Sequence, residues 1–292
     1  MRSIILQFAL CIVMISTPCK AEQPTVFWFR SDFAPGSIVS GPDKDSGYLD
    51  QLTTAIEKHL PDYRHSWVTA PVSRIQEEMK TRPNACNPAF LKTPEREKVF
   101  VFSAPYIELL PNGLVVNRVS LPRLKPFLSA KGAVRLGDLL ASHLWHVAIV
   151  AGRSYGEGIN AALKANFDSG LVIAVQSADL FSTSLRKLAD RRDLDGVIGY
   201  SSELDYAVKS QGYDPAKFVF VPVAEEPPLV ASHVACSRSP FGEAFIAQVN
   251  ALIASSDVHD IVVNAYRSWL PADTVAYYDR LREQSPKARE GR

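Results

Sequence analysis

The chain has almost no net charge. Lys and Arg number 32 against 31 Asp and Glu, a formal charge of +1. That balance provides no broad basic face, so electrostatic capture of nucleic acid is not expected. Cysteine is scarce: four residues in 292 are too few for a disulfide-built scaffold. Beyond the first fifteen residues no apolar run approaches the roughly 18 residues that a membrane-spanning helix requires. With 47% hydrophobic and 22% charged residues, the composition fits neither a disordered chain, nor collagen, nor a coiled-coil array. These absences leave one large or two medium globular units, each able to bury a core.

The first twenty-one residues have a pattern of their own. Met1-Arg2 is basic, residues 4–15 are apolar except for Gln7, and Cys19-Lys20-Ala21 ends small-x-small. This is the layout of a secretory signal peptide, expected to be cut after Ala21. Cleavage removes Cys11 and Cys19 and leaves Cys86 and Cys236 as an even pair in an oxidising compartment.

Residues 25–29 (TVFWF) are β-branched and aromatic and predict a strand, followed by a Pro-, Gly- and Asp-rich loop over 31–47. Apolar residues at 49, 52, 56 and 60 predict a helix ended by Pro61. A strand over 64–68, a helix over 72–80 and strands over 85–91, 99–102 and 114–119 complete a first α/β series. A second series runs through a turn at 137–140, a strand over 145–150, a helix over 158–167, a strand over 171–175 and a helix over 178–190. Strands over 195–200 and 218–223 close it. Glu225-Glu226-Pro227-Pro228 is a composition break. A strand over 229–235, helices over 240–253 and 257–269, and a charged tail after Pro271 follow. The alternation argues for α/β layers with mainly parallel sheets, two units in tandem and a strand and two helices left over.

The run Thr93-Pro94-Glu95-Arg96, followed by Phe102-Ser103-Ala104-Pro105-Tyr106, resembles the T-x-x-R and F-S-x-P-Y block of the bacterial extracellular solute-binding proteins of family 3, the polar amino-acid type. Asp32-Phe33-Ala34-Pro35 is similar to that family's aromatic-x-Pro loop, and Gly47-Tyr48-Leu49-Asp50 to its helix entry. The strand over 145–150 with Gly152-Arg153-Ser154, and Asp195-Gly196-Val197-Ile198, are similar to two further family segments. The resemblance covers roughly residues 25–270 and is closest to a little-characterised proteobacterial branch.

The resemblance implies an α/β, two-lobed periplasmic-binding-protein type II fold. Each lobe would be a mainly parallel sheet flanked by helices, with two crossings near 107–111 and 222–227. Residues 22–109 and 225–270 would form one lobe, 110–224 the other, and 271–292 a C-terminal tail. It further implies a periplasmic monomer that binds a small molecule, serves an inner-membrane ABC permease or a membrane sensor, and requires no cofactor, metal or nucleic acid. The strands carrying Cys86 and Cys236 would share a lobe, which makes a disulfide plausible beside the alternative of two buried thiols.

The same resemblance assigns the site. Arg96 would hold a ligand carboxylate, a planar fork meeting a planar acceptor. Ser154 would cap the same carboxylate at a helix N-terminus, a plain N-cap serine being the alternative. Phe33 would pack on the ligand, Tyr48 and Trp67 would line the cleft, and Arg74 would be a second anion contact. Two departures stand out. Residues 87–91 lack the family's hydroxyls, and Tyr200 stands where an Asp would pair with an α-ammonium group. Tyrosine carries no full charge at neutral pH, so half of an amino-acid clamp is missing.

One rival reading rests on Gly152-Arg153-Ser154-Tyr155-Gly156, a G-x-S-x-G pattern between a strand and a helix. A secreted serine hydrolase would use Ser154 as nucleophile, with His233 or His259 as base and Asp195, Asp205 or Asp214 to orient it. Glu203 or Glu226 as a general acid in a dehydratase is a further alternative.

Overall fold

The computed structural model describes residues 22–177, 179, 181–190 and 193–285. The expected signal peptide, Leu180, and Arg191 with Arg192 lie outside the described residues.

The chain begins with β1 (Thr25–Arg30), α1 (Tyr48–His59), β2 (Arg64–Thr69), α2 (Val72–Thr81), β3 (Ala85–Phe90), the single turn α3 (Pro94–Glu97), β4 (Phe100–Phe102) and β5 (Ile107–Leu109). A second series follows: β6 (Gly113–Asn117), α4 (Leu121–Leu124), α5 (Leu136–Ala141), β7 (Val147–Val150), α6 (Glu157–Asn166), β8 (Val172–Val175), α7 (Ser182–Ala189), β9 (Gly196–Gly199), α8 (Ser201–Gln211) and β10 (Phe218–Pro222). It closes with β11 (Val230–Ser237), α9 (Pro240–Ile253), α10 (Ser256–Ser268) and α11 (Ala272–Gln284).

The strands sort into two sheets. The first has the order β2-β1-β3-β11-β4, with β5 also paired to β11; the second has the order β10-β6-β9-β7-β8. The strand left over by the tandem reading, β11, therefore returns to the first sheet, antiparallel to β3 and β4. The chain passes between the sheets twice, after β5 and after β10.

Period-two burial builds both sheets. In β1, Val26 and Trp28 enter one apolar layer, while Phe29 on the opposite face enters another with Met79 of α2 and Phe90 of β3. In the second sheet Leu114 and Val116 face one layer and Val115 the other. Strands covered by helices on both faces read as near-continuous apolar runs, which is why they were visible in the sequence. Cys86 and Cys236 are direct cross-strand partners, and they form a disulfide with Cα atoms 4.0 Å apart. It closes a loop of 150 residues, a constraint worth up to about 5 kcal/mol in the chain-entropy picture.

Besides the short α3, α4 and β5, two long helices depart from the expectation. Residues after Pro271 are no charged tail: α11 buries Tyr278 edge-on to Tyr266, and Arg267 pairs with Asp279 at 2.7 Å. Its charged residues lie around one buried ring, so composition concealed the helix. The second is α8, where no element was expected. It buries Ser202 and Glu203 as well as Ala207 and Val208, and a polar residue on the core face blurs the helical period.

Candidate functional site

A cavity of about 70 Å³ lies between the two sheets. Phe33, Arg96, Ser154 and Tyr200 line it, together with Arg30, Asn87, Phe90, Leu91 and Arg153. The structure thus brings together four of the seven ligand residues expected from the sequence.

The loop after β1 carries Phe33. Asp50, in the first turn of α1, organises that loop: its carboxylate accepts from Ser37 Oγ at 2.7 Å, Ile38 N at 2.9 Å, Gly47 N at 3.1 Å and Arg30 at 2.9 Å. A carboxylate bonded this often fixes a loop of otherwise unpaired backbone. Phe33 N meets Ser37 O at 2.9 Å, and the Phe33 ring reaches across the interface to Tyr200, centroids 5.9 Å apart.

Arg96 comes from α3. Thr93 caps that turn by accepting from Arg96 N at 3.3 Å, and Pro94 follows in the first helical position, the arrangement a short helix start favours. The Arg96 guanidinium lies 4.5 Å over the Phe90 ring. It donates to Leu91 O on its own side at 2.9 Å and to Gly152 O on the other side at 3.1 Å. Among the described residues no carboxylate lies within ion-pair distance of it. Burial without that compensation pulls its pKa down to about 10.

Gly152 is the clasp between the two sides. Gln76 of α2 also donates to its carbonyl, at 2.5 Å, and Ser73 of α2 bonds Gln176 at 3.3 Å. Gly152 has φ +78°, and a Cβ there would meet Ser73 and Gln76 at 3.2 Å. A positive φ and a close backbone approach both ask for glycine.

Arg153 follows and turns into the interface. Its guanidinium forks onto Glu203, 2.9 Å to Oε1 and 2.7 Å to Oε2, and reaches Asn112 Oδ1 at 3.2 Å. The two side chains are 7% and 1% exposed. Phe33 and Tyr155 each lie 4.9 Å from the guanidinium and Tyr200 lies 5.4 Å away. Burial opposes the charge on Arg153, but Glu203 outweighs it and the pKa moves up. Glu203 also accepts from Tyr200 N at 2.8 Å, which caps α8. The sequence suggests Glu203 only as a general acid and gives Arg153 no role of its own. The available signal was Glu203 at the third position of a helix closed by Gly212 in the left-handed conformation.

Both crossings are tied into the second side. Asn112 in the first donates to Tyr155 O at 2.9 Å. In the second, Glu225 accepts from Gly137 N at 3.2 Å and Glu226 from Ile159 N at 2.7 Å, placing carboxylates at the N-termini of α5 and α6.

Three expected site residues lie elsewhere. Tyr48 is buried edge-on to Tyr266 in the first core. Trp67 stacks on Trp28, lies under Arg30 at 4.6 Å and donates to Glu57 at 2.9 Å. Arg74 is 70% exposed and 3.7 Å from Glu78 on the same helix. Apolar packing claims the two aromatics, and the helix face claims the arginine.

The hydrolase arrangement is not assembled among the described residues. Ser154 Oγ accepts from Asn160 at 2.7 Å. His259 meets Tyr106 O at 3.1 Å and Arg282 at 3.2 Å. Asp195 is bound to Arg123, Asp205 to Lys209, and Asp214 caps a turn. Among the described residues no group of three or more His, Cys, Asp or Glu is placed to hold a metal, and no helix is long and apolar enough to cross a membrane.

No family model and no curated protein matches the sequence. Solved structures do match the fold. A histidine kinase sensor domain with similarity to periplasmic binding proteins superposes with a TM-score of 0.65 at 15% identity, covering 85% of this chain and 96% of the other. The chain has the two-lobed periplasmic-binding-protein fold. A substrate-binding protein of an amino-acid ABC transporter from Streptococcus pneumoniae, bound to L-arginine, matches with a TM-score of 0.61 at 18% identity, covering 85% and 97%. The periplasmic VFT2 domain of BvgS from Bordetella pertussis matches with a TM-score of 0.59 at 17% identity, covering 85% and 94%. Within this fold the cavity between the sheets is the interlobe cleft.

Proposed function

We propose that the protein is a periplasmic solute-binding protein. It captures a small carboxylate-bearing molecule in the interlobe cleft and presents its closed form to an inner-membrane permease or a membrane sensor. Arg96 carries this reading. Its guanidinium lines the cleft, bonds backbone carbonyls on both lobes and meets no carboxylate of its own. A cation so placed accepts a ligand anion with a planar fork, and the anion would strengthen the contact that already joins the lobes. Phe33 and Tyr200 supply the apolar walls of such a site. The sensor role has support from two of the matched folds, a kinase sensor domain and the BvgS domain; the permease role has support from the transporter component.

The test is a thermal-shift and calorimetric screen of the exported chain against small carboxylates. A ligand at one hundred times its dissociation constant adds about 2.7 kcal/mol of stability. Arg96→Ala is expected to abolish that shift and keep the circular-dichroism spectrum of the wild type. Undiminished binding by Arg96→Ala would overturn the assignment.

A further inference from the structure

We propose that the cleft selects small carboxylates that carry no ammonium group, and that Arg153 is the residue that enforces this choice. The proposal rests on the binding role given above and adds the class of ligand.

A zwitterion needs two fixtures, a donor for its carboxylate and an acceptor of matching charge for its ammonium group. The carboxylates of Asp50 and Glu203 behind this cavity, and the side-chain amide and hydroxyls that line it, are already bonded. Asp50 holds Arg30, Ser37, Ile38 N and Gly47 N. Both oxygens of Glu203 hold Arg153, and one also takes Tyr200 N. Asn87 gives its amide to Phe29 O and takes Ala89 N on its carbonyl oxygen. Ser31 and Ser37 turn their hydroxyls to Ala70 O and Asp50. Tyr200 stays neutral, its hydroxyl pushed up to about 12 by burial.

Donors are what remain. Arg96 uses two hydrogen bonds, both to carbonyls, and its fork has further N–H groups. Ser154 accepts from Asn160, which leaves its own O–H proton to donate. A site of free donors around a cation fits an anion. It leaves an ammonium group desolvated and unpaired, which costs far more than a missing methyl group.

Arg153 is the cause of the asymmetry. Its guanidinium lies between Phe33 of one lobe and Tyr155 and Tyr200 of the other, paired with the carboxylate an ammonium group would need. The chain has supplied the cation itself.

The experiment uses matched pairs that differ only in the amino group: lactate against L-alanine and glycolate against glycine, by titration calorimetry on the wild-type exported chain at neutral pH. The expected result is at least a tenfold preference for the hydroxy acid in each pair. Equal or tighter binding of the amino acids overturns the selection and leaves the carboxylate-binding role standing. Binding of neither member, with acetate, propionate and pyruvate also silent, overturns that role and the selection with it. A second arm reads Arg153 directly. In Arg153→Ala the freed Glu203 is expected to reduce the preference at least fivefold, and millimolar guanidinium is expected to raise the melting temperature of this variant and not of the wild type. If the variant does not fold, the wild-type pairs decide. A folded variant with unchanged preference would remove Arg153 from the explanation and overturn that half of the proposal.

Discussion

Arg153 reaches the cleft from the second lobe and meets a carboxylate; Arg96 reaches it from the first and meets only carbonyls. The Arg153 side chain is 7% exposed and its partner Glu203 1%, whereas Arg96 is half-buried and bonds Leu91 O and Gly152 O. The difference separates two uses of a guanidinium. A deeply buried cation persists when a fully bonded anion compensates it, and such a pair sets local structure. A half-buried cation without an anion keeps charge and donors in reserve. An arginine paired with a carboxylate and one without thus sit side by side, and the second is the one proposed above to hold the ligand.

Glu203→Gln breaks the contrast most directly, because it puts Arg153 in the position of Arg96, held by neutral oxygens only. Leaving a buried charge without its partner costs about 3–5 kcal/mol. The cap on α8 weakens as well, since Glu203 also accepts from Tyr200 N. Urea denaturation of this variant against wild type measures the loss. A change below about 1 kcal/mol would mean that the pair is not a structural element.

Arg96→Met tests the other half. It removes a charge with no carboxylate to orphan, and Gln76 still satisfies Gly152 O. The expected stability loss is about 1–2 kcal/mol, smaller than that of Glu203→Gln by the same denaturation. A loss as large as the Glu203 variant's would make Arg96 a structural residue as well and erase the distinction.

The sequence allowed one arginine to be read and not the other, for a physical reason. Arg96 sits in a local device, a Thr cap, a Pro and a one-turn helix, all within residues 93–97, and that short run carries the family resemblance through which it was read. Arg153 acquires its meaning from Glu203, fifty positions away, and such a pair exists only once the second lobe has formed. Phe33, Ser154 and Tyr200 line the cavity because they sit at strand and helix ends that the α/β alternation had located. Tyr48 and Trp67 went astray because an aromatic ring fits a core and a cleft wall equally well. The sheets were legible through their apolar runs, and α8 and α11 were hidden by the polar residues they bury or display.

The smallest effect concerns the cleft mouth, where the contrast recurs with its sign reversed. Asp50 has Arg30 at 2.9 Å, while Asp32, from the same lobe, pairs through its backbone with Asp179 of the other. Burial raises the pKa of Asp32, and Asp179 and Asp50 add to the rise; the backbone of Val39 and the more distant Arg30 oppose it. Tyr206 and the side chain of Asp179 face the same hollow. A raised carboxylate binds its proton more tightly in the folded chain than in the unfolded one. Stability therefore falls as pH rises from the ordinary value of 3.8 through the raised one, and the penalty stays complete above it. Asp32→Asn removes that penalty and keeps an oxygen to accept from Val39. Its melting temperature is expected to exceed that of wild type at neutral pH, with the gap closing as both approach pH 3.8. A gap that is constant with pH would place the effect in packing. A variant less stable than wild type at neutral pH would show that the Asp32 charge stabilises the fold, and that the acidic mouth differs from the Asp50 pair only in geometry.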